Sequence, residues 1–491
     1  MPCAPELSYP KSRCLIDVGL RQQLLFPSDP GYEAREATYW SRSASLHPAC
    51  IVCPRSAVEV SAALKALVNA DQTFAVRSGG HSPSIGASNI EGGIVIDLGL
   101  INHVVYDGAS QTASIGPGQQ WKAVYKELQK SGRVVAGSRD GNVGVAGFLL
   151  GGGYSWITTR TGWGCDNVVS YEVVLADGRI VVASAKKDGY SDLFLALKGG
   201  GNNFGIVTSF TMRTLHCDRV WGGKAVTSKM AIPDVIRIAS RFPETVSKYP
   251  DCNVVTVITY VPEMDDIVAS AAIVQTQGVV DDPGLREWMA LPLTINTTKE
   301  TTLYDTTFEF LLPPDYCNAW FTACFKNDEC IVAKAVEVHG DLVEALKTHI
   351  PEHDFRTQCI FQPIPKLIAQ HSAVAGGNVM GLEHHASNGV LFLLSAMMRT
   401  PEQQTFAYPR VREAVDVIKG FAATIDGGNL PWVYMNYADG TQDVLRSYGD
   451  DNVNIIREVA AKYDPQQVFQ KLCPGGWKIS DVPSVATGQS H

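Results

Sequence analysis

Residues 74–86 read FAVRSGGHSPSIG, in which a short apolar stretch is followed, after Arg77 and Ser78, by two glycines and His81. The apolar stretch predicts a buried strand, and the glycines after it let backbone amides approach a ligand without a Cβ in the way. A dinucleotide-binding fold of the Rossmann type would start a helix here. This chain continues instead with Pro83 and then a second strand at residues 94–98. Phosphate bound by this loop would therefore be held by consecutive backbone N–H groups.

The histidine of this loop has two interpretations. Taken alone, a Gly-Gly-His tripeptide is typical of a turn with a solvated imidazole, which carries no chemistry. At the rim of a ligand-binding loop, however, an imidazole can act on the ligand, because a neutral ring nitrogen is nucleophilic near neutral pH. The other segments of the chain decide between the two.

Composition and charge limit the classes of partner. The chain of 491 residues is 45% hydrophobic and 19% charged, as is typical of a soluble globular protein, and it is long for a single hydrophobic core. Acidic residues outnumber basic ones by 50 to 41, and no long basic run interrupts that balance. Neither a nucleic acid nor an anionic membrane is an expected partner. The most apolar run, residues 389–398, is too short to span a bilayer.

The cysteines and histidines do not predict a metal site. There are 12 cysteines, and Cys50 and Cys53 form a C-x-x-C pair without a second pair at zinc-ribbon spacing. Two half-buried strand residues are therefore favoured over a redox pair or a metal knuckle. The run Glu383-His384-His385 could supply a base or a metal ligand, but an ordinary loop is favoured because no third ligand stands at a standard spacing.

Glycine content and the predicted helices and strands divide the chain into three parts. Residues 1–216 are rich in glycine loops, and their Asp-Gly turn at residues 177–178 predicts a hairpin. Residues 217–424 contain less glycine and predict an antiparallel sheet backed by helices, a separate domain. Residues 425–491 contain a predicted strand at 432–437 and a predicted helix at 454–463. The expected fold class is α+β.

Six segments follow one another in a characteristic order. They are Arg77–Ser82 (RSGGHS), 144–154 (GVAGFLLGGGY), Asp166-Asn167-Val168 before the hairpin, 201–207 (GNNFGIV), 434–437 (YMNY) and 463–469 (YDPQQVF). Through these segments the chain resembles the berberine-bridge-enzyme-like branch of the vanillyl-alcohol oxidase family of flavoproteins, which have a PCMH-type FAD-binding domain. The resemblance is closest to the fungal members and covers the chain from about Cys14 onward.

The resemblance implies a fold and a cofactor. Residues 1–216, with the PCMH-type part at about 46–216, would form the FAD-binding domain with two α/β subdomains. Residues 425–491 would complete it, and residues 217–424 would form the substrate-binding domain. His81 would bond covalently to the 8α-methyl carbon of FAD. The other cofactor-binding residues implied are Arg77, Ser78, Gly79, Gly80, Ser82, Val143, Gly144, Gly147, Gly151, Gly152, Tyr154, Gly205, Ile206, Val207 and Asn436.

A second covalent link, found in many relatives, is not expected here. In those relatives a cysteine stands just before the second glycine loop, and alignment of that loop puts the position at Asp140. Its neighbours Arg139 and Gly141 are not cysteines either, and the nearest alternative, Cys165, belongs to another segment. We therefore predict a single link through His81. The absence of a cysteine at this position argues that the chain is not one of the oligosaccharide oxidases, whose flavin carries two covalent links.

The resemblance also implies the reaction. A hydride would pass from a carbon that bears O–H or N–H to the flavin, and O2 would reoxidise the flavin to give H2O2, while the protein supplies orientation and a base. Val143 stands where family oxidases carry a small residue that leaves the oxygen path open, which favours an oxidase over a dehydrogenase.

The base is expected in the motif YMNY. On the predicted strand, Trp432, Tyr434 and Asn436 share one face, and Met435 and Tyr437 share the other. Tyr434 and Asn436 are the first candidates for catalysis, with Tyr437 beside them. A tyrosine base needs a neighbouring cation or a coupled proton path, because its unperturbed pKa is near 10. The alternative is that these tyrosines only pack a domain seam.

Substrate and compartment stay open at this point. A small hydrophobic or polycyclic alcohol or amine of secondary metabolism is favoured. The alternatives are a carbohydrate oxidase, and a flavin-scaffolded cyclase or binding protein without net redox turnover. The expected partners are a small molecule and O2, and the chain is expected to be a monomer. By resemblance Cys14 could pair with Cys50, as in a secreted protein whose signal peptide is absent from this chain; cytoplasmic residence is the alternative.

Overall fold

The amino-terminal part of the chain forms a four-stranded sheet with helices beside it. The structure, a computed structural model, describes residues 10–187 and 189–483. The sheet order is β1-β2-β4-β3, in which β2 and β3 run parallel to β4. The elements are α1 (Arg13–Asp17), β1 (Leu24–Leu25), α2 (Pro30–Glu36), β2 (Cys50–Val52), α3 (Ala57–Asn69), β3 (Phe74–Arg77) and β4 (Ile94–Asp97).

Local sequence signals explain these elements. The hydroxyl of Ser56 accepts a hydrogen bond from the N–H of Glu59 at 3.3 Å, which caps the first turn of α3. Val60, Leu64 and Leu67 then recur on one face and are buried against the sheet. The strand predicted before the glycines is β3, and no helix follows it.

A second, antiparallel sheet of five strands follows, with order β5-β6-β10-β8-β9. The hairpin predicted at the Asp-Gly turn is confirmed, because β8 pairs with β9 and Gly178 has φ of +83°. The elements here are β5 (Val104–Asp107), β6 (Thr112–Ile115), α4 (Trp121–Leu128), β7 (Arg133–Val134), α5 (Val145–Leu150), α6 (Thr158–Thr161), β8 (Val168–Val174), β9 (Ile180–Ser184), α7 (Ser191–Ala196), β10 (Ile206–Arg213) and β11 (Leu215–His216).

The middle of the chain builds a large antiparallel sheet, order β15-β12-β14-β13-β18-β19-β17-β20, with β16 beside β12. The helices α8, α11 and α13 pack on one face and enclose an apolar core. The elements are β12 (Val220–Thr227), α8 (Ile232–Thr245), β13 (Cys252–Val261), β14 (Asp266–Gln275), α9 (Arg286–Met289), β15 (Leu293–Asn296), β16 (Lys299–Thr301), α10 (Leu303–Glu309), β17 (Cys317–Lys326), α11 (Glu329–Lys347), β18 (Phe355–Ile364), α12 (Lys366–Val374), β19 (Gly389–Met398), α13 (Pro401–Ala422) and β20 (Asn429–Leu430). The α+β class with a helix-backed antiparallel sheet is confirmed.

The carboxy-terminal segment returns to the first sheet. It contains α14 (Asp450–Tyr463) and α15 (Val468–Lys471). The N–H of Phe74 donates to the carbonyl of Leu472 at 2.7 Å, and Phe74 meets Phe469 edge to face. This segment therefore packs against the strand that delivers His81. The domain boundaries at residues 216 and 424 stay predictions.

Two expectations about local structure are wrong. Residues 432–437 do not form a strand: Met435–Tyr437 is a 3₁₀ turn, closed by a 3.0 Å hydrogen bond from the N–H of Tyr437 to the carbonyl of Tyr434. The alternating apolar pattern had predicted a strand, but no partner strand pairs with this segment in the described part of the chain. The helix predicted from residue 454 starts at Asp450, directly after Gly449.

The remaining structural expectations concern cysteines, metals and membranes. The Cys14–Cys50 disulfide is not formed, since both residues are free thiols. Within residues 10–187 and 189–483, no group of three or more His, Cys, Asp or Glu side chains is placed to hold a metal ion. None of the helices in the described part of the chain combines the length and hydropathy that a bilayer crossing requires.

Candidate active site

A cavity of about 700 Å³ lies between the glycine loops and the large sheet. Ligand pockets of proteins have volumes in this range. On one side it is lined by the backbone around residues 78–83, 143–151 and 201–207, and on the other by the face of the large sheet opposite α8, α11 and α13. The three glycine-containing segments found in the sequence therefore meet at one site.

The first glycine loop presents free backbone donors to this cavity. The N–H groups of Gly79, Gly80, His81 and Ser82 donate no hydrogen bond to any protein atom within the described residues. Gly80 has φ of +68°, a conformation that favours glycine. Consecutive backbone N–H groups without a protein acceptor beside a cavity form a place where an anion can bind.

The first two glycine loops are in direct contact. A Cβ on Gly79 would lie 2.5 Å from the Cα of Gly144. A larger residue at position 79 would therefore force the two loops apart. The hydroxyl of Ser78 links the two loops, donating to the carbonyl of Pro117 at 2.6 Å and accepting from the N–H of Ala146 at 3.3 Å. A Cβ on Gly147 would meet no atom within 4 Å, because that position opens into the cavity.

Most residues predicted for cofactor binding line the cavity, and two do not. The lining residues are Ser78, Gly79, Gly80, His81, Ser82, Val143, Gly144, Gly147, Gly151, Tyr154, Gly205, Ile206, Val207 and Asn436. Arg77 lies beneath the loop, fully buried, where it donates to the carbonyl of Arg35 at 2.9 Å and to Thr38 Oγ1 at 2.6 Å. Gly152 faces Met380, whose Sδ would lie 2.5 Å from an added Cβ.

His81 is held by an aromatic stack and a carboxylate. Its ring stacks on Trp40 with centroids 4.7 Å apart and an interplanar angle of 4°. Its Nε2 lies 3.6 Å from Asp140 Oδ2, which is an ion-pair distance longer than a normal hydrogen bond. Burial raises the pKa of the Asp140 carboxyl, but His81 and the N–H groups of Leu312 and Asn142 outweigh it, so that this pKa lies below its usual value.

Tyr437 stands at the cavity with a cation beside its hydroxyl. Arg139 Nη2 donates to Tyr437 Oη at 2.7 Å, and Gln362 Nε2 donates to it at 3.1 Å. The Arg139 guanidinium also lies over the rings of Tyr154 and Trp156, at 4.8 and 5.5 Å from their centroids. The neighbouring cation that a tyrosine base needs is therefore present at this residue.

The side chains of Tyr434 and Asn436 bond to each other and to backbone groups of the second glycine loop. The hydroxyl of Tyr434 accepts from the N–H of Tyr154 at 2.9 Å and from Asn436 Nδ2 at 3.2 Å, and burial raises the pKa of Tyr434. Asn436 Nδ2 also donates to the carbonyl of Phe148 at 3.0 Å, and its Oδ1 fills the space beside Gly151. Tyr434, Asn436 and Tyr437 all line the cavity, and of the three it is Tyr437 whose side chain accepts a hydrogen bond from an arginine.

The sheet side of the cavity is mostly aliphatic. Successive inward-facing positions of β13 are Val255, Val257, Thr259 and Val261. The neighbouring strands add Val226, Val268, Ala272, Ile295, Ile360, Leu393 and Met397. The polar side chains on this face are Arg356, Gln358 and Gln362 on β18, and Lys224, Thr259 and Ser270 on other strands. Gln358 Oε1 is buried without a hydrogen-bond partner.

Sequence reasoning missed several residues of the site. Trp40, Gln358 and Gln362 belong to no motif, and Arg139 was noted only because it is not a cysteine. The single available signal was the alternation of valines along residues 254–261, which predicts a strand with one exposed apolar face. The Glu383-His384-His385 run does not line the cavity; Glu383 and His384 pair with each other at 3.5 Å.

Comparisons with known proteins agree with this geometry. The family model described as FAD binding domain matches residues 48–184. The chain is 34% identical over 460 residues to the FAD-dependent monooxygenase drtC of Aspergillus calidoustus, which covers 93% of this chain and 87% of that protein. Its fold is similar to that of 6-hydroxy-D-nicotine oxidase from Arthrobacter nicotinovorans, with a TM-score of 0.77 and 20% identity over 92% of this chain and 97% of that one. It is also similar to glucooligosaccharide oxidase from Acremonium strictum, which carries a 6-S-cysteinyl, 8α-N1-histidyl FAD, with a TM-score of 0.74 and 22% identity over 96% and 99% of the two chains.

Proposed function

This chain belongs to the fungal branch of the berberine-bridge-enzyme-like FAD-linked oxidoreductases, and on that premise we propose that it is an oxidase of hydrophobic alcohols or amines. In this proposal FAD is bound covalently through His81 alone, the substrate loses a hydride from a carbon bearing O–H or N–H, and O2 is converted to H2O2. The observation that carries the proposal is Tyr437, which lines the cavity and whose hydroxyl accepts hydrogen bonds from Arg139 and Gln362.

The residues around the cavity fit FAD. The free N–H groups from Gly79 to Ser82 would hold the pyrophosphate, and the open space at Gly147 leaves room beside the second loop. His81 would form the covalent link, with Tyr434 and Asn436 as part of the wall. When bound, FAD supplies the hydride acceptor that the protein side chains cannot provide.

Tyr437 is the base in this proposal. The Tyr437 oxygen takes the proton that leaves the substrate O–H or N–H, and the Arg139 guanidinium, which donates to that oxygen at 2.7 Å, holds it in place. Gln362, which lies on β18, orients the same hydroxyl through its own hydrogen bond. Asn436 and Tyr434 hold the turn that presents Tyr437 and take no proton.

The aliphatic sheet face supports a hydrophobic substrate over a carbohydrate. A sugar needs a hydrogen-bond partner for nearly every hydroxyl, because an unpaired buried polar group costs about 1–3 kcal/mol. Valines and other aliphatic side chains outnumber the polar ones on this face, and Arg356, Gln358 and Gln362 lie on one side of β18. Gln358 and Gln362 lie four residues apart on that strand, about 13 Å along it. We infer an elongated substrate with a polar substituent at about that distance from the oxidised carbon.

Monooxygenation is the second candidate, because the similar protein of Aspergillus calidoustus is called a monooxygenase. The two reactions differ in the fate of O2. An oxidase releases H2O2 and leaves no oxygen atom from O2 in the product, whereas a monooxygenase transfers one atom.

Turnover under ¹⁸O2 separates the candidates. Lipophilic alcohols and amines and a set of oligosaccharides would be incubated with the flavin-loaded protein, with peroxide and product mass measured together. Stoichiometric peroxide and unlabelled product from a lipophilic substrate are expected. Label in the product would favour monooxygenation, and peroxide from oligosaccharides alone would contradict the substrate class.

A further inference from the structure

We propose that Asp140 is a positioning residue that prepares His81 for its bond to the flavin, by holding the imidazole with its proton on Nε2. This inference rests on the covalent link proposed above, and it assigns a role to the residue that stands where other family members carry the second link.

The plane of the His81 ring is fixed by Trp40. The two rings are nearly parallel, with centroids 4.7 Å apart, and Trp320 meets Trp40 edge to face at 5.3 Å. The N–H of Trp40 donates to the carbonyl of Gly80 at 3.1 Å, so the stacking residue is tied to the loop that carries His81. The ring can therefore turn within its plane but has little freedom to tilt out of it.

The two ring nitrogens have different surroundings. Nε2 is buried, has no hydrogen-bond partner at normal distance, and lies 3.6 Å from Asp140 Oδ2. Nδ1 is the ring nitrogen with accessible surface, and His81 lines the cavity. A carboxylate facing Nε2 favours the tautomer with the proton there, since that N–H can point at the negative charge. The lone pair is then on Nδ1, the nitrogen that faces the ligand.

Asp140 is itself held in place. Its Oδ1 accepts from the N–H of Asn142 at 2.8 Å and its Oδ2 from the N–H of Leu312 at 3.0 Å, and the residue is 8% exposed. Leu312 follows α10 in the middle of the chain, so the carboxylate is fixed by its own loop and by one distant segment. It cannot swing away from His81 without leaving two backbone donors unpaired.

The chemistry balances with O2 as the oxidant. The bond between Nδ1 and the 8α-methyl carbon replaces one C–H bond and the imidazole N–H bond, and two electrons leave with the two protons. These electrons pass through the flavin to O2, which becomes H2O2. While the ring is bonded at Nδ1 and still protonated at Nε2 it carries a positive charge, which the Asp140 carboxylate at 3.6 Å neutralises.

The test compares the extent and rate of covalent attachment in four proteins. Wild type, Asp140→Asn, Asp140→Glu and the control Asp464→Asn would be prepared without flavin and mixed with FAD. Asp464 is a matched control because it is buried and accepts from the N–H groups of Val468 and Phe469 at 2.8 Å, but it does not contact His81. The readouts are the flavin retained after acid precipitation and the mass of the intact chain.

Attachment in Asp140→Asn is expected to slow on the order of 10–100-fold, the loss typical when a carboxylate that orients a histidine is removed. Noncovalent FAD binding should stay near wild type, Asp140→Glu should regain part of the rate, and Asp464→Asn should attach flavin normally. The flavin peptide should contain His81 and no cysteine, and its NMR spectrum should show substitution at Nδ1.

Two outcomes would overturn the inference in distinguishable ways. If Asp140→Asn attaches flavin at the wild-type rate, Asp140 has no positioning role and the proposed function is untouched. If wild type itself holds no covalent flavin, the link proposed for His81 is wrong. The positioning role proposed for Asp140 is then wrong as well. Substitution at Nε2 would contradict the tautomer argument directly.

Discussion

Arg139 Nη2 donates a 2.7 Å hydrogen bond to Tyr437 Oη, although the two residues are 298 positions apart in the sequence. The pair brings a cation from the second glycine loop to a hydroxyl of the carboxy-terminal segment, at the wall of the cavity. The pair places a cation at hydrogen-bond distance from the hydroxyl that is proposed to take the substrate's proton.

Removal of the Tyr437 hydroxyl is expected to slow flavin reduction. A base contributes about 100- to 10,000-fold to the rate of a proton-coupled step, so Tyr437→Phe should lose a factor in that range. The measurement is anaerobic stopped-flow reduction of the bound flavin at saturating substrate. Tyr434→Phe is the control, because the Tyr434 hydroxyl contacts only fold-forming groups; it should lower the melting temperature more than the rate. Equal rate losses in the two variants would contradict the assignment.

The Arg139 cation is expected to act through Tyr437. Arg139→Met removes the charge and keeps much of the side-chain volume, so flavin reduction should slow markedly, while Arg139→Lys should retain part of the rate. In a double-mutant cycle, Arg139→Met combined with Tyr437→Phe should be little slower than Tyr437→Phe alone, because residues that share one interaction are not additive. Additive losses would show that the two residues act independently.

Gln358 is expected to determine affinity for a polar substituent of the substrate. Its amide oxygen is buried without a partner and its side chain lines the cavity. Gln358→Leu should raise KM about tenfold with kcat unchanged, since one hydrogen bond is worth about 1.4 kcal/mol. Ile360→Val on the same strand is the control and should change KM little. A fall in kcat with constant KM would place Gln358 in the chemical step instead.

His339 is expected to make folding stability depend on pH. It is fully buried on α11, its Nε2 lies 2.7 Å from Thr357 Oγ1, and burial lowers its pKa to about 4. Because the unfolded chain binds the proton with a pKa of about 6.5, stability should fall as pH drops from about 6.5 towards 4, by up to about 3 kcal/mol.

Urea unfolding between pH 7 and pH 4.5 measures this contribution. His339→Gln should show a flatter pH dependence than wild type, whereas His353→Gln, at an exposed position, should match wild type. An unchanged slope in His339→Gln would show that other groups account for the acid sensitivity.

Features that depend on local sequence could be predicted. The hairpin at Gly178 and the strand before Gly79 each follow from a few neighbouring residues, and the structure contains both. The ordered motifs also identified the loops that meet at the cavity. These features require no knowledge of distant parts of the chain.

Features that depend on distant contacts could not be predicted. The stack of Trp40 on His81 and the hydrogen bond from Arg139 to Tyr437 join segments with no shared pattern. The predicted strand at residues 432–437 failed for the same reason: its alternation reflects burial of Trp432 and Tyr434 against the core, and strand pairing is absent within the described residues. Apolar periodicity reports burial, but pairing needs a partner elsewhere in the chain.

The central claim is that a flavin bound beside His81 takes a hydride from a substrate that lies on the aliphatic face of the large sheet. Anaerobic mixing of the flavin-loaded protein with lipophilic alcohols and amines, followed by the visible absorbance of the flavin, tests it most directly. Full bleaching by at least one lipophilic substrate is expected, with return of the yellow colour on admission of O2 and no bleaching by oligosaccharides. A protein that carries FAD and is bleached by oligosaccharides alone, or by none of these compounds, would contradict it.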